Sequence, residues 1–253
     1  MKNKFIILYL EFLKILLKKR VKPVKIIAGE LKGLSWGFSA DTNNEYILGN
    51  FESNLQKIMS AYIGPNNIVY DIGAHYGYFT LFASRLVGNL GRVYAFEPMP
   101  QNFQRLVYNI KANKLNNIKL YNYAISNKET ILKFSNSKNT VANTYIASSP
   151  LLSQPIPVIE IRSISLDILF SRKEILSPQF IKIDAEGAEY DILVGAQNII
   201  GQSKPAINLS THENHNPGVT EKCLTLLKRY GYKVIHLLTN QDNNQMQEFF
   251  LAA

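Results

Sequence analysis

From residue 68 onward the chain alternates short apolar runs with longer stretches whose apolar residues recur at helical spacing. Ile68–Ile72, Val93–Glu97, Ile118–Ile125, Phe180–Asp184 and Ala206–Thr211 are short and rich in β-branched and aromatic residues, which predicts strands. Tyr78–Leu86, Asn102–Asn113, Ala188–Ile200 and Glu221–Tyr230 carry the helical pattern. Strands alternating with helices predict a parallel sheet covered on both faces. Lys233–Leu238 and Gln247–Leu251 are two more strands, joined through Asn240–Asn244 with no helix between them, so they should pair antiparallel. Residues 127–157 are polar and end in Pro150, Pro155 and Pro157, which reads as a loop or excursion with at most one hairpin. Val158–Ile161 then adds a strand and Leu166–Phe170 a short helix. Ahead of residue 62 the pattern is different. Residues 23–61 read as a cap, with strand-like pieces at Val24–Ala28 and Leu34–Phe38 and a helix near Asn50–Ala61. Residues 1–22 read as a basic, apolar helix, and 62–253 as the main domain.

Charge changes the reading of the N-terminus. The net charge is +9, yet residues 1–25 hold eight basic residues against Glu11 alone. The remaining 20 basic and 18 acidic residues nearly cancel, so the body lacks the clustered cations that track a phosphate backbone. No nucleic-acid partner is expected. Phe5–Leu17 is almost wholly apolar, but thirteen helical residues span roughly 20 Å, short of a ~30 Å hydrocarbon core. Two charges interrupt the run and no small-x-small cleavage site follows, which argues against a signal peptide. Two readings stand: a helix packed on the domain or on a second copy of the chain, with a solvated basic end, or a helix lying on an anionic membrane surface. The single cysteine, Cys223, excludes an internal disulfide and a cysteine zinc site and fits a reducing, cytoplasmic setting.

The richest segment for chemistry is Val69–Thr80. A buried strand ends at Asp71, Gly73 and Gly77 follow, and a helix begins; ligands bind at such turns on the carboxyl edge of α/β sheets. Gly73 lets backbone approach a ligand closely, and Asp71 offers a carboxylate to an ammonium group. Glu97 ends the next strand, where a carboxylate can accept hydrogen bonds from both ribose hydroxyls. The pair suits a ligand with an adenosine end and an amino-acid end. The glycine patterns of dinucleotide and P-loop sites are absent. In Phe180–Glu186, alternation puts Phe180, Lys182 and Asp184 on one face. A lysine in a central strand needs a partner, and Asp184 is the nearest. Asp184, Glu186 and His212 emerge at the same sheet edge and are the candidate proton acceptors. Simpler roles exist for each: Asp184 as an orienting partner of Lys182, Glu186 as a helix cap, His212 as a satisfied loop histidine, and Glu52 as a solvated helix glutamate. No spacing resembles a dedicated metal motif. The aromatics Phe79, Phe82, Phe96 and Phe103 read as core, whereas Tyr76 and Tyr78 sit in the loop, within reach of a ligand.

The stretches VYDIGAHYGYFTLFA (69–83), GRVYAFEPMPQNFQRLVYNIKAN (91–113), NYAIS (122–126), SLDIL (165–169) and FIKIDAEGAEYDIL (180–193) resemble the FkbM-type family of S-adenosylmethionine-dependent methyltransferases. They follow in order and together cover about residues 45–212. The resemblance implies an α/β, Rossmann-like class I methyltransferase fold: a mostly parallel seven-stranded sheet with an antiparallel C-terminal hairpin and helices on both faces. It implies S-adenosylmethionine as cofactor and methyl transfer to oxygen on sugars, glycolipids or other hydroxylated small molecules. Asp71, Gly73, His75 and Gly77 would line the methionine portion, with Ala74 and Tyr78 beside them. Glu97 and Pro98 would lie at the ribose and Ala124 at adenine. The chain departs from the family in two places. His75 stands where asparagine is usual, which opens an altered pH dependence. Ser210 stands where a glutamate is frequent, while LSTH (209–212) resembles a variant with histidine. Two alternatives share these residues: an RNA methyltransferase of the same fold, and a binding protein that keeps the fold without turnover.

Overall fold

The structure is a computed structural model; it describes all residues except 1, 19, 136–157 and 239–245. The turn expected at Asn240–Asn244 and most of the polar excursion lie outside the described residues. Helix α1 (Lys2–Leu17) is followed by a two-stranded antiparallel pair, β1 (Lys22–Lys25) and β2 (Ser35–Phe38), and by α2 (Asn44–Leu48) and α3 (Ser53–Tyr62). The main domain then runs β3 (Ile68–Ile72), α4 (Tyr78–Val87), β4 (Arg92–Phe96), α5 (Pro100–Ala112), β5 (Ile118–Tyr121), β6 (Ala124–Ile125), β7 (Thr130–Ser135), β8 (Val158–Ile164), α6 (Leu166–Ser171), β9 (Phe180–Asp184), α7 (Glu189–Val194), α8 (Gln197–Ser203), β10 (Ala206–His212), α9 (Val219–Arg229), β11 (Lys233–Leu237) and β12 (Met246–Ala252).

Seven strands form the sheet in the order β11-β12-β10-β9-β3-β4-β5. Every pair is parallel except those made by β12, which runs antiparallel to both β10 and β11. This is the class I methyltransferase sheet, with its antiparallel C-terminal hairpin. The near-continuous apolar strands β3, β4, β9 and β10 are buried on both faces, as parallel strands between two helix layers must be. One core lies under α6–α9 and includes Ile181, Ile183, Leu193 and Cys223, the buried free cysteine. The other lies under α4 and the cap and includes Leu10, Trp36, Leu81 and Phe180.

Three expectations need correction. The run at 118–125 is two strands, not one. Glu97 N–H donates to the Tyr121 carbonyl, and Asn122 Nδ2 donates to the Glu97 and Pro98 carbonyls, so the chain turns out of the large sheet. β6 then joins β7 and β8 in a separate three-stranded sheet. The helix expected over 188–200 is broken at Gly195, whose space for a side chain is filled by the Ser126 carbonyl. The Asp167 carboxylate, arriving from α6, accepts the Asn198 and Ile199 N–H groups at 2.9 and 3.0 Å and starts α8 afresh. The cap contains α2 in addition to the expected helix; Asn43 opens it by accepting the Glu45 N–H, and Gly49 closes it in the left-handed region.

The cap is tied to α5 through buried Asn109 and half-buried Asn113, the residue that ends the helix. Asn109 Oδ1 accepts the Gly37 N–H at 2.7 Å, while its Nδ2 donates to the Tyr76 carbonyl at 2.8 Å. Asn113 makes a matching pair with Ser35 N–H and carbonyl. Asn109→Ala should therefore strand two buried backbone groups and destabilise the protein by about 2–4 kcal/mol. Urea unfolding checks this, and a loss within error of zero would show that the cap does not depend on α5.

Candidate functional site: a cavity at the carboxyl edge of the sheet

The loop after β3 is shaped by its neighbours. Gly73 and Ala74 both donate to the Phe96 carbonyl at 3.0 Å, which folds the loop back over β4. Gly73 has φ +78°, and a Cβ there would collide with the Asp184 carbonyl oxygen. Only glycine fits, so the loops after β3 and β9 touch. His75 is also left-handed, at φ +50°, and its N–H donates to Glu97 Oε2 at 2.8 Å. Glu97 Oε1 accepts the Met99 N–H at 2.9 Å and Asn102 Nδ2 at 3.3 Å. Three donors thus fix the plane of one buried carboxylate. Burial pushes its pKa up to about 7, against the lowering effect of the Met99 and His75 N–H groups.

Beneath the loop lies a buried charge cluster. Lys182, only 4% exposed, sits 3.1 Å from Asp184 Oδ2 and 3.8 Å from Asp71 Oδ1. Burial alone would discharge the ammonium, but Asp184 and Asp71 outweigh it and hold its pKa above the ordinary lysine value. Asp71 Oδ2 accepts the Thr80 hydroxyl at 2.5 Å, while Oδ1 has no hydrogen-bond partner. Burial raises the Asp71 pKa. Asp184 experiences the same burial, but Lys182 and His212 beside it keep its pKa below the usual carboxylate value. A third of its side chain is exposed, toward the cavity.

The acceptor-side candidates are joined by a residue not singled out from sequence. Glu189, fully buried in the first turn of α7, accepts the Gly187 N–H at 2.9 Å and holds His212 Nδ1 at 2.8 Å. That hydrogen bond puts the ring hydrogen on Nδ1 and leaves Nε2 facing Asp184 Oδ1 and Glu186 Oε2, each 3.6 Å away. His215 Nδ1 lies 3.0 Å from Glu186 Oε2. Burial lowers the His212 pKa, but Glu189 first, then Asp184 and Glu186, raise it to about 9. The second glutamate of AEGAE was the available signal. Glu186 caps no helix: it has φ +51° and stands before the Gly187 turn. Glu52 is not a helix-face glutamate either. It is the exposed residue that precedes α3, has φ +44° and lines the cavity rim, where partial loss of water and then Asp184 push its pKa up to about 8.

Asp71, Gly73, Ala74, His75, Tyr78, Glu97, Pro98, Ala124, Asp184 and Glu186 all line one cavity, together with Tyr76 and Lys182. Phe79 and Phe96, expected only in the core, also reach it. Two predicted residues do not line it. Gly77, at φ +91°, is the turn that starts α4, packed against Leu106. His212 lies one layer back, behind Asp184 and Glu186. His75 does not titrate near neutrality, because burial lowers its pKa to about 4; its ring stacks on Tyr76 at 3.8 Å. The cap supplies the remaining wall through Trp36, Tyr46 and Phe51, which sequence left unassigned. Among the described residues no cluster of three or more His, Cys, Asp or Glu side chains is arranged to hold a metal ion.

The profile of the FkbM methyltransferase domain matches residues 71–234, well over half of the chain. The chain belongs to the FkbM methyltransferase family. It is a methyltransferase that uses S-adenosylmethionine. The hexuronic acid methyltransferase AglP of Haloferax volcanii is 25% identical over 177 residues, covering 70% of this chain and 69% of the relative. Among solved structures, the FkbM methyltransferase of Methylobacillus flagellatus superposes with a TM-score of 0.52 at 20% identity, over 74% of this chain. This chain spans 43% of that longer one. A putative methyltransferase of Streptococcus mutans, solved in complex with SAH, matches with a TM-score of 0.51 at 12% identity, over 79% of this chain and 96% of that one. Both structural likenesses show the fold. The residues present fit the cofactor: an orphaned carboxylate oxygen on Asp71, a glycine cradle at Gly73 and a pre-set carboxylate at Glu97 converge on one cavity.

The Glu97 shift carries a sign. A carboxyl whose pKa rises on folding, here from 4.5 to about 7, keeps its proton longer in the native state. Its contribution to stability is full below about 4.5 and is lost as pH rises through about 7. Denaturant unfolding across that window should show the wild type losing on the order of 1–3 kcal/mol more than Glu97→Gln. Parallel curves for the two proteins would mean that Glu97 is ionised throughout.

Proposed function

We propose that this chain is an O-methyltransferase acting on a hydroxyl of a sugar, glycolipid or other hydroxylated small molecule, with residues 62–253 as the catalytic domain and 23–61 as the cap. The observation that carries the reading is the group Asp184–His212–Glu189, a cavity carboxylate backed by a clamped imidazole. The Haloferax relative, named for hexuronic acid, supports the acceptor class.

When bound, S-adenosylmethionine supplies an electrophilic methyl carbon on a sulfonium sulfur. The chain's own residues divide the remaining work. Asp71, with its unpartnered oxygen, holds the cofactor's ammonium end, and Gly73, Ala74, His75 and Tyr78 shape the wall beside it. Glu97 accepts the ribose hydroxyls next to Pro98, and Ala124 packs at the adenine. Most of the remaining barrier is alignment of acceptor and donor. Asp184, with Glu186, orients the acceptor hydroxyl by accepting its hydrogen bond. The proton passes through Asp184 to His212 Nε2, 3.6 Å behind it, while Glu189 fixes the tautomer and stabilises the imidazolium that forms. Trp36, Tyr46 and Phe51 exclude water from the acceptor side.

The RNA alternative finds no support here. Asp184 and Glu186 line the cavity, and its one lysine is already matched by Asp71 and Asp184, so a phosphate chain would find no free cation there. The same proposal sets the reaction in the cytoplasm, with residues 1–22 as the segment for association with a membrane or with a second copy of the chain.

The test is transfer of labelled methyl from S-adenosylmethionine to a panel of hexoses, hexuronic acids and lipid-linked glycans. No transfer to any hydroxylated acceptor by a protein that binds cofactor would favour the binding-protein alternative. Glu97→Ala should weaken cofactor binding by roughly 1–3 kcal/mol in calorimetry. Asp184→Asn should reduce turnover more than cofactor affinity; equal losses would make its role structural. Since His212 must be neutral to accept a proton and starts from a pKa of about 9, turnover should climb as pH rises toward that value. A rate independent of pH between 7 and about 9 would remove His212 from the reaction.

A further inference from the structure

Helix α1 is apolar on two opposite sides, and only one of them is used. Ile6, Leu10, Leu13 and Leu17 recur at helical spacing and pack on the core beneath the cap, with Leu10 fully buried. Glu11 fastens the same helix by accepting a hydrogen bond from Asn44 Nδ2 at 2.6 Å. On the other side Phe5, Leu8, Tyr9, Phe12, Ile15 and Leu16 are 56–73% exposed. A helix that only packs on its own domain turns polar residues outward, and a contiguous apolar stripe of this size marks an interaction surface.

The chemistry next to the stripe says what covers it. Lys18, Arg20, Lys22 and Lys25 are all exposed directly after the helix, and among the described residues none of them pairs with a carboxylate. Glu11, the helix's sole acidic residue, is already engaged by Lys14 and Asn44. At sixteen residues the helix is roughly 24 Å long, and no helix among the described residues is long and apolar enough to cross a membrane. A second copy of the chain would cover the apolar stripe through the same helix, whose flanking segment is equally basic. An anionic bilayer satisfies both at once.

We propose that the outward face of α1 lies in the surface of an anionic phospholipid bilayer. Phe5, Leu8, Phe12 and Ile15 enter the acyl boundary, and Lys18, Arg20, Lys22 and Lys25 sit against the headgroups. The clamp to Asn44 gives the contact a reach beyond the helix. Asn44 begins α2, which also carries Tyr46 of the cavity wall, so the docked helix bears on the side of the cavity that the cap closes. The inference is independent of the reaction catalysed and survives the loss of any acceptor assignment.

The test is sedimentation of the full chain with vesicles of phosphatidylcholine alone and of phosphatidylcholine mixed with phosphatidylglycerol, at low and high salt, beside analytical ultracentrifugation without lipid. The expected result is binding to the mixed vesicles that exceeds binding to the neutral ones by on the order of 10-fold or more and weakens with salt. Two variants separate the contributions: Leu8→Asp with Phe12→Asp and Ile15→Asp, and Lys18→Glu with Arg20→Glu and Lys22→Glu. All six side chains are exposed, so both variants should unfold at the wild-type temperature, and each should abolish binding. The proposal is overturned if the native chain stays in solution with mixed vesicles. It is overturned equally if the aspartate variant still binds, which would be adsorption by charge alone. A stable dimer that the aspartate variant converts to monomer, with no vesicle binding by either protein, would assign the stripe to self-association instead.

Discussion

The buried ion cluster Lys182–Asp71–Asp184 is the constraint on which the site depends. Asp71 and Lys182 face each other across the parallel β3–β9 pair, and Asp184 lies two residues further along the same face of β9. None of the three could keep its charge in that position without the other two, because each has lost most of its water. Their mutual requirement fixes the register of the two central strands at the edge where the cavity opens. It also holds one carboxylate at β3 and one at the end of β9 from a single lysine. The collision that any side chain at Gly73 would make with the Asp184 carbonyl is the backbone expression of the same arrangement.

Around this cluster the electrostatics favour a cationic occupant. The carboxylates of Asp184 and Glu186 reach the cavity, while His75 is held neutral and Lys182 is already matched. A sulfonium cofactor would therefore meet a region suited to positive charge. The imidazole of His212 stands behind that wall, polarised by a glutamate with no solvent contact. The groups proposed for catalysis and for cofactor binding thus share neighbours, and the shift of one is set partly by the ionisation of another.

Much of this was legible in the sequence where one physical signal dominated. The strands from Ile68, Phe180 and Ala206 are apolar because they are buried on both faces, and nothing competes with that pattern. The turn at Asp71–Gly73 and the carboxylate at Glu97 follow from the same strand ends. The signal failed where a distant group overrode local preference. The break at Gly195 depends on the Ser126 carbonyl and on a cap from Asp167, neither adjacent in the chain. Tyr121–Ala124 leaves its sheet because Asn122 binds the carbonyls of Glu97 and Pro98. Glu189 reads as an ordinary first-turn acid until His212 is brought to it from β10. Glu52 is exposed as expected, but the left-handed backbone that also turns it to the cavity leaves no mark in composition.

The place of β12 in the sheet has a consequence for how the protein is made. This strand, residues 246–252, inserts between β10 and β11, both of which precede it in the chain. When β11 leaves the ribosome, the site next to β10 is still empty and an unpaired parallel edge is exposed to the cell. The sheet closes only after residues 246–252 have been synthesised and have slotted between two strands already present. Until then the exposed edge is a template for pairing with another chain, so crowded nascent chains would be expected to need a holding chaperone at that stage.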